Sequence, residues 1–273
     1  MNAAGPADTT AWRELLLHDV GQFNAQLDEL PISERVMFAG ADLSGFDLAG
    51  ARLHSLDLSG ANLSQSSVGG FWLSTCRLQG VALDGVVLDD EYWRDPIVQI
   101  TALWDGAEEW SEIRRSKVPL LLNQSNFAGA TLNDIDLSDV AFVSSVFTGA
   151  YFAGTGLDRC SFRGADLNAT EFQGVTCRGL SLEEAQLSDS RWTDVAMSDG
   201  KFVEADLRRS VFRGCTFDNV NFNDSTATDA RFEQCRFVGC IFYDADLSKS
   251  TFNGCEFTDT VLEHGNVEGV IIS

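Results

Sequence analysis

Leucine recurs at every fifth position between Gly40 and Ser64, at residues 43, 48, 53, 58 and 63. A helix with 3.6 residues per turn, or a strand with a period of two, would not keep such a series on one face. The pattern therefore predicts a repeat architecture in which each group of five residues is one structural unit.

The period of five extends over two blocks. The first runs from Phe38 to Leu88, and the second restarts one residue out of phase at Phe127 and continues to Ile272. A smaller side chain, often alanine or cysteine, lies two residues before each central residue. Two of every five side chains are thus predicted to point inward, so that the backbone closes into coils that pair with one another like strands.

Glycine and proline support this interpretation. Glycine recurs two residues after the central position, for example at Gly45, Gly149 and Gly214, where a turn favours a residue without steric restriction. All four prolines lie outside the two blocks. This distribution is expected if the repeats donate their backbone N–H groups to neighbouring coils.

The repeats "GADLS", "GANLS", "GADLN", "EADLR" and "DADLS" follow the pattern A-(D/N)-L-x-x, and the chain thereby resembles the pentapeptide-repeat proteins over about 205 of its 273 residues. The resemblance implies an all-β solenoid, a right-handed quadrilateral β-helix with four repeats per coil. Residues twenty apart then stack. The predicted aromatic columns are Phe152, Phe172, Trp192, Phe212, Phe232 and Phe252, and Phe202, Phe222 and Phe242; the aliphatic column is Leu167, Leu187, Leu207 and Leu247.

Two segments interrupt the repeats, and both have helical spacing. Residues 8–31 predict one amphipathic helix that caps the first coil. Residues 89–124 contain Trp93, Trp104 and Trp110. They predict either helices that pack on the coils, as an insertion or second cap, or an arm that binds a partner through these tryptophans. The predicted organisation is a cap segment (1–35), a first block (36–90), the insertion or second cap (91–124) and a second block (125–273).

The sequence offers no recognisable catalytic, cofactor or metal site. Its three histidines are far apart, the cysteines follow the inward repeat positions without a CxxC motif, and the glycines do not form a phosphate-binding loop. We therefore expect a non-enzymatic protein without cofactors. No 18-residue apolar run or secretory leader is present, so a cytoplasmic protein with reduced thiols and no membrane span is expected.

The net charge of −22 excludes nucleic acid as a ligand and favours basic partners. Residues 125–273 contain 23 acidic and 11 basic residues. The predicted partner-binding carboxylates share one corner of this block: Asp166, Glu184, Glu204, Asp206, Asp224, Asp244 and Asp246. The phenylalanine- and cysteine-rich stretch "FEQCRFVGCIFYDADLSKSTFNGCEF" of this block resembles the Qnr and MfpA quinolone-resistance members of the family. That resemblance implies a DNA mimic that binds DNA gyrase or topoisomerase IV and protects it from poisons. The alternative is a structural or adaptor scaffold that binds an unrelated protein through the tryptophan-rich insertion.

The last repeat ends with Val270, Ile271 and Ile272, with no capping helix after them. An apolar coil end with unpaired backbone groups is an aggregation hazard. The sequence therefore predicts a homodimer through the C-terminal coil, with folding of the last residues across the coil end as the alternative.

Overall fold

The computed structural model describes residues 9–31, 38–68, 73, 75–88, 99–100, 103, 107–116, 120 and 122–273. The chain divides into two compact units, Met1–Asp105 and Gly106–Ser273. The boundary between them falls within the interruption of the repeats.

The first unit begins with two helices, α1 (Thr9–His18) and α2 (Val20–Glu29), where the sequence predicted one. The break lies at Asp19, whose carboxylate accepts a hydrogen bond from the backbone N–H of Gln22 at 3.0 Å and caps α2. The expectation of one continuous helix was wrong because the apolar spacing of three and four continues across this capping residue.

These helices cover the first coil, as the sequence predicts. The Asn24 amide donates to the Gly50 carbonyl at 3.0 Å, and its oxygen accepts from the Arg52 N–H at 2.8 Å. The buried Phe23 contacts the ring of Phe38, the first central residue of the block, at a centroid distance of 6.1 Å. Asp28 forms a salt bridge with Arg52 at 2.9 Å. Apolar and polar contacts together fix the cap on the open coil end.

The coils of the first block pair through three short parallel strands, β1 (Asp47–Leu48), β2 (Ser67–Val68) and β3 (Val87–Leu88). Asp47 pairs with Ser67 and Ser67 with Val87, so the register is twenty residues. Central residues are fully buried from Phe38 to Leu78.

The second unit begins with helix α3 (Ala107–Ser116), and its repeats form two parallel sheets. The eight-stranded sheet contains, in chain order, β4 (Thr131–Asn133), β5 (Tyr151–Ala153), β6 (Glu171–Gln173), β8 (Arg191–Thr193), β10 (Val211–Arg213), β12 (Arg231–Glu233), β14 (Thr251–Asn253) and β16 (Ile271–Ile272). The five-stranded sheet contains β7 (Thr176–Arg178), β9 (Ala196–Ser198), β11 (Thr216–Asp218), β13 (Arg236–Val238) and β15 (Glu256–Thr258).

The other two sides of each coil are joined by isolated parallel bridges, such as Ser181 to Lys201 and Gln186 to Asp206. These bridges also link residues twenty apart. Four sides of five residues therefore complete each coil, which confirms the quadrilateral solenoid. The seven steps from β4 to β16 extend over about 34 Å at about 4.8 Å per coil.

The predicted aromatic columns are present in the core. Ring centroids are 4.7 Å apart for Phe152 and Phe172, 3.9 Å for Phe172 and Trp192, and 4.8 Å for Phe212 and Phe232. A further column was not predicted: Phe217, Phe237 and Phe257 stack at centroid distances of 5.2 and 5.1 Å.

Several hydroxyl groups at the smaller inward position donate to backbone carbonyls. The Ser210 hydroxyl donates to the Leu207 carbonyl at 2.6 Å, and the Thr170 hydroxyl donates to that of Leu167 at 2.7 Å. At these two positions a hydroxyl group therefore takes the place of alanine without leaving an unpaired buried donor, whereas the buried Ser250 hydroxyl has no hydrogen-bond partner among the described residues.

The second block starts one repeat earlier than predicted. Leu122 is fully buried like the central residues that follow it, and its carbonyl accepts a hydrogen bond from the buried Ser145 hydroxyl at 2.8 Å. Leu122 lies five residues before Phe127 and thus keeps the register.

Candidate protein-binding surface

One corner of the second block presents four acidic residues in successive coils: Glu184, Glu204, Asp224 and Asp244. All four have left-handed backbone conformations, with φ between 54° and 60°, and all are exposed. In this turn each side chain projects away from the core, at the position that glycine occupies in other repeats, for example at Gly164. We call these four residues the acidic column.

The coil repeat sets the spacing within the acidic column. The backbone N–H of Glu204 donates to the Asn223 carbonyl at 3.1 Å, and that of Asp224 donates to the Tyr243 carbonyl at 2.9 Å. Adjacent coils are thus in direct hydrogen-bonding contact at the corner, and successive carboxylates follow one another at about 4.8 Å. One strand of duplex DNA carries a negative charge about every 3.4 Å along its axis. The column has a similar, somewhat lower density of charge.

Only one residue of the acidic column forms a salt bridge with a described cation. Glu184 forms a salt bridge with Arg163 at 2.6 Å. Among the residues that the structure describes, no lysine, arginine or histidine side chain lies within 4.0 Å of the carboxylates of Glu204, Asp224 or Asp244. These three carboxylates are therefore free to attract a basic ligand.

The other predicted carboxylates, Asp166, Asp206 and Asp246, lie two residues beyond the corner and are half-buried. Each accepts a hydrogen bond from the backbone N–H two residues later, at 2.9 to 3.1 Å. Asp206 also forms a salt bridge with Arg208 at 2.5 Å. Burial raises the pKa of Asp206, but hydrogen bonds and the charge of Arg208 outweigh burial and leave this pKa below its usual value.

The structure thus brings all seven predicted residues to one corner but separates them by role. Asp166, Asp206 and Asp246 hold turns, alternate with the uncharged Gln186 and Thr226, and repeat only every second coil. The acidic column repeats in four successive coils and projects into solvent. Sequence position alone did not distinguish these two classes.

Acidic residues on the other sides are often paired with arginines of neighbouring coils. Asp189 and Arg209 are 2.7 Å apart, and the guanidinium holds the pKa of that carboxyl below its usual value. Further salt bridges of this kind join Asp139 to Arg159, Glu171 to Arg191, Asp199 to Arg178, and Glu233 to Arg213. The negative charge is therefore better compensated there than along the acidic column.

The tryptophans of the interruption are the alternative partner-binding site that the sequence predicts. Trp110 on α3 is buried, and its indole N–H donates to the Asp136 carbonyl at 2.7 Å. Arg114 on the same helix forms a salt bridge with the Asp136 carboxylate at 3.8 Å. Trp110 thus packs on the coils of its own unit, which is the packing alternative. Trp93 and Trp104 lie outside the described residues.

The last coil of the second block has an apolar surface. Ile271 and Ile272 pair with Thr251 and Phe252, yet they are 59% and 71% exposed. Val270 is half-buried and lines a cavity of about 240 Å³ together with Phe242, Leu247 and other apolar residues. We call Val270, Ile271 and Ile272 the coil-end surface.

Comparison with known families identifies the repeats. A family model described as "Pentapeptide repeats (8 copies)" matches residues 35–68, 121–157, 145–176 and 160–195, and one described as "Pentapeptide repeat region" matches residues 185–262. Together these matches cover more than half of the chain. The chain belongs to the pentapeptide-repeat family.

Solved structures of other pentapeptide-repeat proteins are similar to this chain. HetL, involved in heterocyst differentiation regulation in the cyanobacterium Nostoc sp. strain PCC 7120, is 17% identical; the match covers 85% of this chain and 89% of HetL, with a TM-score of 0.24. A trypsin-treated variant of QnrB1, a plasmid-mediated fluoroquinolone resistance protein, is 11% identical; the match covers 86% of this chain and 89% of that one, with a TM-score of 0.33. No curated protein sequence matches this chain.

The cysteines of this pentapeptide-repeat chain are free thiols that serve as small core residues. The thiols of Cys76 and Cys160 donate to carbonyls 23 residues earlier, at 2.6 and 2.7 Å. The thiols of Cys215, Cys235 and Cys255 likewise donate to carbonyls 23 residues earlier, at 3.3 to 3.4 Å. Burial raises the pKa of Cys76 and of Cys160 to about 12.

Because the pKa values of these two thiols are raised, we expect the protein to lose stability at high pH. A raised folded-state pKa means that the stabilisation is complete below the ordinary thiol pKa of 9.0 and declines as the pH rises from about 9 to about 12. We expect the free energy of unfolding, measured in denaturant, to fall between about pH 8 and about pH 10.5. The fall should be smaller in the variant Cys76→Ala/Cys160→Ala, because it lacks these two thiols. The variant should still fold, since alanine fills the same repeat position at Ala61 and Ala165. An identical fall in both proteins would assign the effect to other groups.

Within the described part of the chain, no group of three or more histidine, cysteine or acidic side chains has an arrangement that could hold a metal ion. No helix among the same residues is long and apolar enough to cross a membrane.

Proposed function

We propose that this pentapeptide-repeat protein is a non-enzymatic DNA mimic that binds a type II topoisomerase, DNA gyrase or topoisomerase IV, and protects it from topoisomerase poisons. The observation that carries the proposal is the acidic column, in which the exposed carboxylates of Glu204, Asp224 and Asp244 repeat at about 4.8 Å and have no described cation within 4.0 Å. A rigid row of negative charge is the feature that a basic DNA-binding groove recognises.

Further support comes from dimensions and from the sequence. The strands β4 to β16 extend over about 34 Å, which is about one helical turn of duplex DNA. The phenylalanine- and cysteine-rich repeats resemble those of the Qnr and MfpA members of the family. A protein that displaces DNA from the enzyme lowers the number of enzyme–DNA complexes on which a poison acts.

The proposal places the protein in the cytoplasm with its target. Its seven cysteines are free thiols, as suits a reducing compartment.

Competition with DNA tests this proposal directly. Purified gyrase immobilised on a surface should capture the protein, and duplex DNA should displace it. Binding should weaken steeply as salt is raised, because contacts between exposed charges are screened. Absence of binding to both gyrase and topoisomerase IV at low salt would reject the proposed function.

We also propose that a second copy of the chain covers the coil-end surface about a twofold axis, which would extend the acidic stack. The protein should then sediment as a dimer at micromolar concentration. Ile272→Asp should shift it to monomer, since a charge would be placed in the shared apolar face.

The control for this prediction is Val87→Asp. Val87 is also an exposed aliphatic residue, at 57%, but lies in the first block. The control should remain dimeric. A monomeric wild-type protein over the same range of concentration would contradict the dimer and favour self-capping.

A further inference from the structure

The sides of the second block carry few large apolar residues that face solvent. Ile241, Tyr243 and Val261 occupy outward repeat positions and are 36%, 42% and 40% exposed. The other exposed large apolar residues of this unit are Ile271 and the central residues of the last coils, Phe257, Leu262, Val267 and Ile272. The three outward residues all lie on one side of the solenoid, so they form a patch rather than scattered exposures.

The backbone fixes these three side chains next to one another. Ile241 and Val261 are bridge partners in adjacent coils. Tyr243 lies two residues after Ile241 on the same side, and its backbone N–H donates to the Asn223 side chain at 2.9 Å. The tyrosine ring contacts that of His264 edge to face, at a centroid distance of 4.8 Å. We call Ile241, Tyr243 and Val261 the Tyr243 patch.

Carboxylates surround the Tyr243 patch. Asp224 and Asp244 of the acidic column border it at the corner, and Glu263 lies two residues after Val261. All three side chains are exposed. None forms a salt bridge with any of the residues described in the structure. The outward positions on this side contain no lysine or arginine from Val203 to His264. The patch is therefore apolar at its centre and negatively charged at its rim.

We infer that the Tyr243 patch is a docking surface for a protein segment that presents an apolar or aromatic side chain flanked by arginine or lysine. The apolar side chain contacts Ile241, Tyr243 and Val261, while the cations approach Asp224, Asp244 and Glu263. Tyrosine at the centre and a charged rim are typical of protein interfaces with a local hot spot. The inference deepens the proposed function by adding an apolar anchor, and rests on it only for the identity of the partner.

The apolar patch changes the expected dependence of binding affinity on salt concentration. Contacts between exposed charges are screened at high ionic strength, whereas burial of apolar surface is not weakened by screening. The complex should therefore keep part of its affinity in salt that removes a purely electrostatic contact. This behaviour distinguishes the patch from a surface that imitates phosphates alone.

Two synthetic peptides test the chemistry without any assumed partner. One alternates arginine with tryptophan, the other alternates arginine with serine, and both have the same length and charge. Fluorescence anisotropy with the full chain should show about tenfold tighter binding of the tryptophan peptide. Tyr243→Ala should remove this difference, and Tyr151→Ala, a half-buried tyrosine on another side of the same block, should preserve it. Equal binding of both peptides, no binding of either, or an unaffected Tyr243→Ala variant would overturn the inference.

Two measurements separate the remaining outcomes. If the peptide preference is found but gyrase and topoisomerase IV are not bound, the docking surface stands and the proposed function fails. If a topoisomerase is bound but the peptide preference is absent, the proposed function stands and the inference fails. Sedimentation of Tyr243→Ala identifies a further case, because a dimer that becomes monomeric would show that a second copy occupies the patch, which also overturns the inference.

Discussion

Reversal of three charges in the acidic column, by Glu204→Lys, Asp224→Lys and Asp244→Lys, should abolish binding to gyrase or topoisomerase IV. Lysines in place of these carboxylates would face the basic groove, and like charges in contact cost several kcal/mol, so we expect a loss of affinity of about 100-fold or more. The fold should survive, since Lys249 adopts the same left-handed corner conformation, with φ of 59°. Thermal melts and circular dichroism check the fold, and surface plasmon resonance measures the affinity.

A control with the same change in net charge is available on the other three sides. Asp194, Asp229 and Asp259 are exposed corner residues with φ of 52°, 59° and 51°. Their replacement by lysine should leave most of the affinity intact. If both triple variants bind equally well, total charge rather than the column governs binding, and DNA mimicry by this corner is wrong.

Phe212→Ala should destabilise the second unit by about 3–5 kcal/mol, the usual range for large aromatic truncations in a core. Phe212 is fully buried and stacks between Trp192 at 5.7 Å and Phe232 at 4.8 Å. Backbone hydrogen bonds keep the neighbouring coils at a fixed spacing, so these coils cannot collapse into the cavity that the substitution leaves. Chemical denaturation measures the difference in free energy of unfolding.

The matched control is Thr216→Ala, at an exposed outward position four residues later on β11. Its effect should remain within about 0.5 kcal/mol, as for most surface substitutions. Asn223 would be a poor control, because its side chain accepts a hydrogen bond from the Tyr243 N–H. Similar losses in Phe212→Ala and Thr216→Ala would mean that Phe212 is not a core residue.

The sequence predicted most of the fold because the repeat relates each residue to one twenty positions away. The aromatic column that contains Phe212 can therefore be predicted from the sequence by taking every twentieth residue. The break at Asp19 did not, because helical spacing is continuous across it and only the capping bond shows the end of α1. Leu122 was assigned to the interruption because that segment was taken to extend to residue 124.

The candidate site was predicted less completely. Position and exposure of the acidic column follow from the repeat, but its charge depends on which carboxylates are paired. Glu184 is paired with Arg163, across 21 residues, whereas Glu204 is not within salt-bridge distance of a described cation. Such pairing depends on side-chain rotamers, which the repeat does not specify. The Tyr243 patch was missed because single apolar residues at outward positions do not change the period.

The constant separation of twenty residues between paired strands also has a consequence for folding. Each coil contacts only the coil before it and the coil after it, so an ordered coil can act as a template for the next one, and order can spread along the chain by nearest-neighbour steps. In the second unit, β16 and β4 are the two edge strands of the eight-stranded sheet. The coil of β4 is also held by α3, through the hydrogen bond from Trp110 to the Asp136 carbonyl, whereas β16 pairs with β14 alone among the described strands. Unfolding of this unit should therefore begin at β16 and proceed coil by coil towards α3, and amide hydrogen exchange should show protection that increases in the same direction.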